Sequence, residues 1–467
     1  MANHFESIYR RCPIWTQNVA VSLYGAWWRR RRMGPIFQRK VAEFRSRERF
    51  TALQWREYQV QSLRLLLRHC FATVPHYRET WSSLGIDQRE LARFELEDLR
   101  RLPTVGKEDV RRSPASFLSE APGKGRLYST HTSGSTGTPL EIRMTASTHQ
   151  TFYAAYEARC RNWAGVDWRM SRAMIGGRLV VPEAVANPPF WRYNAAERQL
   201  YLSAFHIAPS TVAHYAGALN RYRPDYLVGY ASAHFFLARM LEEANLDVHS
   251  PKAILTSSEK LDAEMRAVLE RVYRCEVFDG YSGVETCCLA SECASHRLHV
   301  SPDVGVVELL DEAGRESEPG AEGEIVATGL LNFDQPLVRY RTSDVARRSL
   351  EECPCGSSMP ILDELVGRVE DTVVGPDGRE TVRFHGLVLG LPSIREAQLV
   401  QESVDQFTVR IVAPDGLGNF ERETIAKRLT ERVGDVSIEF EVVGAIERTS
   451  RGKFRAVISK VSRETRR

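Results

Sequence analysis

The chain has 467 residues, of which 63 are basic and 60 acidic, for a formal net charge of +3. So small an imbalance gives no chain-wide attraction to nucleic acid or anionic lipid and points to small-molecule partners. A chain this long exceeds what one hydrophobic core organises, so two domains are expected. Nine cysteines, no N-terminal apolar run and no bilayer-length uncharged stretch predict a reduced, soluble, cytoplasmic protein without disulfides.

Near the start, Tyr24-Gly25-Ala26-Trp27-Trp28 runs into Arg29 to Arg32. Tryptophan and arginine favour a lipid interface. The run is short and lacks a long amphipathic period, so it is expected to pack on the body of the protein rather than on a membrane. From Trp55 to Tyr77, Leu63, Leu65, Leu66, Leu67 and Phe71 mix with Arg64, Arg68 and His69 in a helical rhythm. Val74-Pro75 should end that helix in a turn.

The most informative stretch is Thr130-His131-Thr132-Ser133-Gly134-Ser135-Thr136-Gly137-Thr138-Pro139. Its glycines let main-chain N–H groups converge on an anion, and the hydroxyls of Thr132, Ser133, Ser135 and Thr136 add donors, so the loop suits phosphate. The Gly-Lys-Ser/Thr ending of the common phosphate loop is absent. The alternation of Leu127 and Ser129 before it, and of Leu140, Ile142 and Met144 after it, predicts an ordered hairpin, against the competing reading of a flexible linker.

Helices are predicted over about 148–163 and 262–273, the latter with Met265, Val268, Leu269 and Val272 on one face. Short strands are predicted at Tyr226-Leu227-Val228, Ala253-Ile254-Leu255 and Glu276-Val277-Phe278, which makes an α/β body. Beyond Ser301 the runs 304–310 and 323–328 read as a meander. Gly367-Arg368-Val369-Glu370-Asp371 and Gly375-Pro376-Asp377-Gly378 make a charged, turn-rich junction, followed by strands and one helix (420–433) of a small α+β unit. Domains 1–366 and 367–467 are therefore expected.

Cys353-Pro354-Cys355-Gly356 places two thiols in one tight turn, and Cys293 with His299 could complete a tetrahedral Zn²⁺ site. His296 competes with His299, and a reduced pair of surface cysteines is the alternative. Cys287 and Cys288 read as core.

Taken in order, Thr132 to Pro139, Thr256-Ser257-Ser258-Glu259-Lys260, Tyr281-Ser282-Gly283-Val284-Glu285, Tyr340-Arg341-Thr342-Ser343-Asp344, Gly367 to Asp371 and Arg448-Thr449-Ser450-Arg451-Gly452-Lys453 resemble the motifs of the adenylate-forming superfamily. The resemblance covers nearly the whole chain and falls on the phenylacetate–CoA ligase-like branch. Gln17, Tyr24-Gly25 and Val74-Pro75-His76-Tyr77-Arg78 are similar to its CapK-type members, linked to polysaccharide biosynthesis.

The resemblance implies a large multi-sheet adenylation domain, a small mobile C-terminal lid, and activation of a carboxylic acid by ATP with release of pyrophosphate. The phosphate loop, from Thr132 through Gly134 to Gly137, would cradle the triphosphate. Ser258, Glu259 and Tyr281 would border adenine. Glu285 would hold Mg²⁺, which needs hard oxygen ligands. Asp344 would accept from the ribose hydroxyls, and Arg341 and Arg368 would offer forked donors near phosphate or ribose. Lys453 would neutralise charge in the adenylation transition state, and Glu370 would be the hinge. The cysteine and histidine set resembles a zinc-binding feature of some relatives.

Ser282 and Val284 depart from the family's glycine and small hydroxyl residue. Val374-Gly375-Pro376-Asp377-Gly378-Arg379 departs from the segment that shapes a CoA tunnel, so the acceptor is either CoA or an amine or hydroxyl. The acid is expected between the region 231–236 and Tyr281. A non-catalytic nucleotide-binding scaffold is the alternative, and association with a second copy of the chain is left open.

Overall fold

The computed structural model describes residues 9, 12–121, 125–132, 140–176, 178, 180–182, 185, 187–368, 373–376, 380–381, 387–388, 391, 393–448 and 454–461, with 368, 380, 381 and 432 described by backbone alone. The chain divides into two compact units, Met1–Thr342 with Ala346–Glu364, and Ser343–Val345 with Leu365–Arg467. The loop residues Ser133 to Gly137, Glu370 (expected as a hinge) and Lys453 lie outside the described residues.

The first unit begins with helices Ile14–Arg32, Pro35–Ser46, Ala52–Thr73 and Pro75–Ser83. Thr51 and Gln54 form a reciprocal capping box at the start of the third. Leu63, Leu66 and Leu67 are buried, whereas Leu65 faces solvent. The expected turn after Val74 is instead a second helix. Pro75 stands at its first position, where the missing N–H costs nothing and the fixed φ favours a helical start. One proline therefore ends one helix and begins the next.

Strands β1 (Tyr128–His131) and β2 (Glu141–Met144) form the expected antiparallel hairpin, with Tyr128 opposite Met144 and His131 opposite Glu141. Ile142 and Met144 are buried in a core shared with Leu63, Leu66 and Tyr340, which fixes the register of the ribbon. Next come β3 (Arg172–Gly176), β4 (Trp191–Asn194), β5 (Gln199–Ser203), β6 (Tyr226–Gly229), β7 (Ala253–Ser257), β8 (Glu276–Ser282), β9 (Leu289–Glu292) and β10 (Leu298–Val300). They are followed by β11 (Gly305–Leu310), β12 (Glu322–Gly329), β13 (Tyr340–Arg348) and β14 (Ile361–Arg368).

Strands β3 to β14 make one mixed sheet in the order β11-β12-β13-β14-β10-β9-β8-β7-β6-β3-β5-β4. Its middle, β5-β3-β6-β7-β8, is parallel. Helices Val212–Tyr222, Ala231–Glu243 and Ala263–Tyr273 share a core with this part, in which Tyr215, Leu237, Ile254 and Leu269 are buried. The α/β reading thus holds, with β11 and β12 pairing as the expected meander. The helix foreseen over 148–163 runs from Ala146 to Tyr156 and continues as a π-helical turn, Glu157–Arg161.

In the second unit β15 (Val373–Val374) pairs with β16 (Glu380–Thr381), and β17 (Glu396–Gln401), β18 (Gln406–Val412), β19 (Ser437–Val442) and β20 (Val457–Ser459) form a sheet in the order β19-β18-β17-β20. Helix Asn419–Val433 supplies Ile425, Leu429 and Val433 to a core with Leu399, Phe407 and Ile411. Among the described residues, no helix is long and apolar enough to cross a membrane.

Candidate active site and cysteine–histidine cluster

In a parallel sheet, ligands gather beyond the carboxyl ends of the strands. The register of β7 on β8 sets Ser257 opposite Gly280, so Ser258 and Tyr281 leave neighbouring strands side by side at that edge. Ser258 holds a φ of 71°, in the left-handed region that a serine rarely occupies. Gly229, at the same edge of β6, has a φ of 146°, and a Cβ there would stand 1.8 Å from the Ile175 carbonyl oxygen. Only glycine fits.

The carboxylate of Glu259 accepts from the Ser232 backbone N–H at 3.1 Å and from its hydroxyl at 2.6 Å, capping the helix that begins at Ala231. Its anionic group is therefore committed to the scaffold, in keeping with the positive end of a helix. Lys260 next to it pairs with Glu364 at 2.8 Å, and the other oxygen of Glu364 accepts from Arg347 at 2.9 Å.

Tyr281 is packed against the core that holds the β1–β2 hairpin, as is Val284. Glu285 Oε1 accepts from the Tyr340 hydroxyl at 3.3 Å. The buried Tyr340 thus orients one oxygen of the carboxylate, a partner the sequence motif contained without revealing its role. Arg341 sends its fork to Glu324 on β12. That pairing holds its guanidinium on a carboxylate. Ser343, with a φ of 66°, and Asp344 belong to the part of β13 counted with the second unit.

At the base of the loop expected to bind phosphate, the Thr132 N–H donates to the Leu140 carbonyl at 3.0 Å, and its hydroxyl accepts from the Leu140 N–H at 2.9 Å. Thr132 thereby clamps the two ends of the loop. The hairpin is tied down further by Gln335, which accepts from Arg143 N–H, and by Asp334, which accepts from Thr145 N–H and the Thr148 hydroxyl.

Beneath the Ser258–Tyr281 edge lies Asp279, a partly buried group that sequence reading missed. Burial raises its pKa to about 7, with the charge of Glu292 acting in the same sense and the Thr256 hydrogen bond against it. Thr256 Oγ1 donates to its Oδ1 at 2.7 Å, and its own N–H donates to Glu292, which pairs with Arg266. Phe235 and Phe236, within the region 231–236 expected to border the acid, are buried in the core that the helices share with the parallel strands.

Cys293, His299, Cys353 and Cys355 converge, with their ligand atoms all within 4.8 Å of one another. Cys293 and Cys353 sulfurs are 3.6 Å apart, and Cys355 Sγ is 3.4 Å from His299 Nε2. Tetrahedral Zn²⁺ with bonds of about 2.0–2.3 Å would set neighbouring ligands roughly 3.5–3.8 Å apart, so the donor set fits. His299 Nδ1 faces the Met359 carbonyl at 3.2 Å, the second hydrogen bond that leaves Nε2 for a metal. Burial also lowers the pKa of His299, favouring the neutral ligand form. His296 instead lies against Glu292 and Arg266, which decides between the two histidines. Cys287 and Cys288 are core, as read.

Comparison with known proteins agrees with this geometry. A family model described as the CapK C-terminal domain matches residues 379–460. Protein CapK of Staphylococcus aureus is 25% identical over 472 residues, which cover 97% of this chain and 99% of that protein. A phenylacetate-coenzyme A ligase of Aromatoleum evansii is 25% identical over 431 residues, 88% of this chain and 95% of that one. Among solved structures, 2-hydroxyisobutyryl-CoA ligase in the postadenylation state matches with a TM-score of 0.70 at 21% identity, covering 90% of this chain and 92% of that one. That likeness establishes the fold. The chain thus has the fold of an adenylate-forming CoA ligase. Its homologues are CapK and the phenylacetate-coenzyme A ligases.

Proposed function

We propose that the protein activates a carboxylic acid with ATP, forming an acyl-adenylate and pyrophosphate, and then transfers the acyl group to CoA or to an amine or hydroxyl acceptor. The observation that carries the reading is Glu285, oriented by Tyr340 and following Tyr281 at the carboxyl edge where Ser258 also emerges. Attack of a carboxylate on the α-phosphate joins two anions, so the reaction needs cations and N–H donors placed in advance. Glu285 is the hard-oxygen ligand suited to Mg²⁺, which would screen the phosphate oxygens when bound. Loop residues 132–137 supply donors for the triphosphate, Asp344 receives the ribose hydroxyls, and Arg368 and Lys453 supply positive charge.

In this reading residues 367–467 form the mobile lid that brings Lys453 to the nucleotide, with Glu370 as its hinge. Structural Zn²⁺ is held by Cys293, His299, Cys353 and Cys355. Four protein ligands leave no position for a substrate, so the metal would fasten β10 and the turn before β14 rather than join the chemistry. Carboxylate-dependent exchange of labelled pyrophosphate into ATP tests the proposal. Exchange with one or more acids of a broad panel supports it; folded protein that gives none, and forms no AMP, refutes it.

A further inference from the structure

The helix Ile14–Arg32 rests on the first unit by one face only. Gln17 accepts from Arg192 Nε at 2.6 Å, Asn18 accepts from the Tyr193 N–H, and Gly25 lies so close to Asn194 that a Cβ would overlap that side chain. Arg32 pairs with Glu197, and Arg31 lies 4.0 Å over the ring of Tyr128. These contacts account for the inward face, including Gln17 and Gly25 of the CapK-type pattern.

The outward face is apolar along its length. Trp15 is 70% exposed, Leu23 69% and Trp27 51%, with Val19 and Tyr24 about half exposed beside them. Trp15, Val19, Leu23 and Trp27 recur every fourth residue, a continuous stripe about 18 Å long. With roughly 150–250 Å² for each aromatic side chain, its exposed apolar area is on the order of 600 Å², at the upper end for a monomer surface without a partner. The period was hidden in the sequence because tryptophans and small residues also fill the inward face.

Charge identifies what covers it. Residues 7–42 contain eight basic residues and no acidic one, in a chain whose overall charge is only +3. Arg30, three residues after Trp27 and seven after Leu23, continues the outward stripe, and Arg29 is exposed beside it with one guanidinium nitrogen on the Ala196 carbonyl at 2.7 Å, whereas Arg39 and Lys40 pair with Glu43. In a symmetric pairing of two copies, the acid-free outward face of the helix would meet itself, with no carboxylate on that face to balance Arg30. An anionic bilayer answers both features at once, since aromatic side chains settle at the headgroup level and arginines pair with lipid phosphates.

We propose that this helix docks the protein on the surface of an anionic membrane, lying in the interface rather than crossing it. This revises the expectation of no membrane contact, and it does not depend on the ligase reading. The full chain, without nucleotide, is sedimented with vesicles of phosphatidylcholine alone or mixed with phosphatidylglycerol. Binding to the mixed vesicles, weakened by salt and reduced about tenfold or more by Leu23→Glu with Trp27→Glu and by Arg29→Glu with Arg30→Glu, is expected. No binding above that of phosphatidylcholine overturns the proposal. So does a stable dimer in solution that the Leu23→Glu/Trp27→Glu chain fails to form, because the face then belongs to a second copy. If that variant does not fold, the exposed arginine pair decides alone: unchanged vesicle binding by Arg29→Glu/Arg30→Glu refutes the proposal.

Discussion

The Tyr340 hydroxyl lies 3.3 Å from Glu285 Oε1, joining the first residue of β13 to the segment that follows β8. A hydrogen bond to a charged group contributes about 1.5–3 kcal/mol when its partner is buried, as Tyr340 is. Tyr340→Phe keeps the ring and its packing and removes only the donor. Pyrophosphate exchange should fall roughly tenfold, half-maximal rate should need more Mg²⁺, and stability should fall by no more than about 1.5–3 kcal/mol. Wild-type rates at every Mg²⁺ concentration would show the bond to be idle.

Lys453→Ala separates binding from chemistry. On the role proposed for Lys453, its removal should lower adenylate formation by roughly a hundredfold or more and leave ATP affinity nearly unchanged. Calorimetry with ATP and Mg²⁺, set beside AMP formation, reads both quantities. Equal loss of the two would undo the assigned role.

The cysteine–histidine cluster predicts about one zinc per chain in protein purified under reducing conditions, measured by plasma mass spectrometry. His299→Ala and Cys355→Ser should lower the metal content and the melting temperature together, and a strong chelator should reproduce the second effect on the native chain. A metal-free chain, fully folded and indifferent to chelators, would contradict this.

Asp279 makes stability depend on pH with a definite sign. Its folded pKa, about 7, lies above the ordinary carboxylate value, so the native state holds a proton that the unfolded chain has lost. The stabilising contribution is complete below about pH 4 and disappears as the pH rises through about 7. Asp279→Asn cannot ionise, so its stability relative to the parent should grow by about 4 kcal/mol at most between those limits. Chemical denaturation at several pH values measures the difference. Parallel pH profiles for the two proteins would refute the assignment.

Gly229→Ala is expected to destabilise the fold by more than about 2 kcal/mol, because a side chain is strained at a φ of 146° and the new Cβ meets the Ile175 carbonyl. Thermal unfolding would record a clear drop in the midpoint. An unchanged midpoint would mean that β3 and β6 separate more easily than their packing indicates.

Local pattern was enough to determine the α/β class, the β1–β2 hairpin and the helix over 263–273, whose cap Asp262 accepts from the Met265 N–H. These features repeat over a few residues, and burial enforces the repeat: Ile142 and Met144 could not change register without exposing themselves. The four zinc-type ligands were legible because cysteine and histidine are scarce and two of them share one turn.

Only tertiary structure decided which histidine joins that cluster, since Cys293 and Cys353 are distant in sequence and the choice depends on where β10 lies beside β14. It also revealed that Arg341 meets Glu324, that Tyr340 holds Glu285, that Asp279 is partly buried with its carboxylate beside Thr256, and that the first helix leaves its aromatic stripe uncovered. Each of these depends on a neighbour from another element. A residue type fixes what a side chain can bind or expose; packing fixes what it meets.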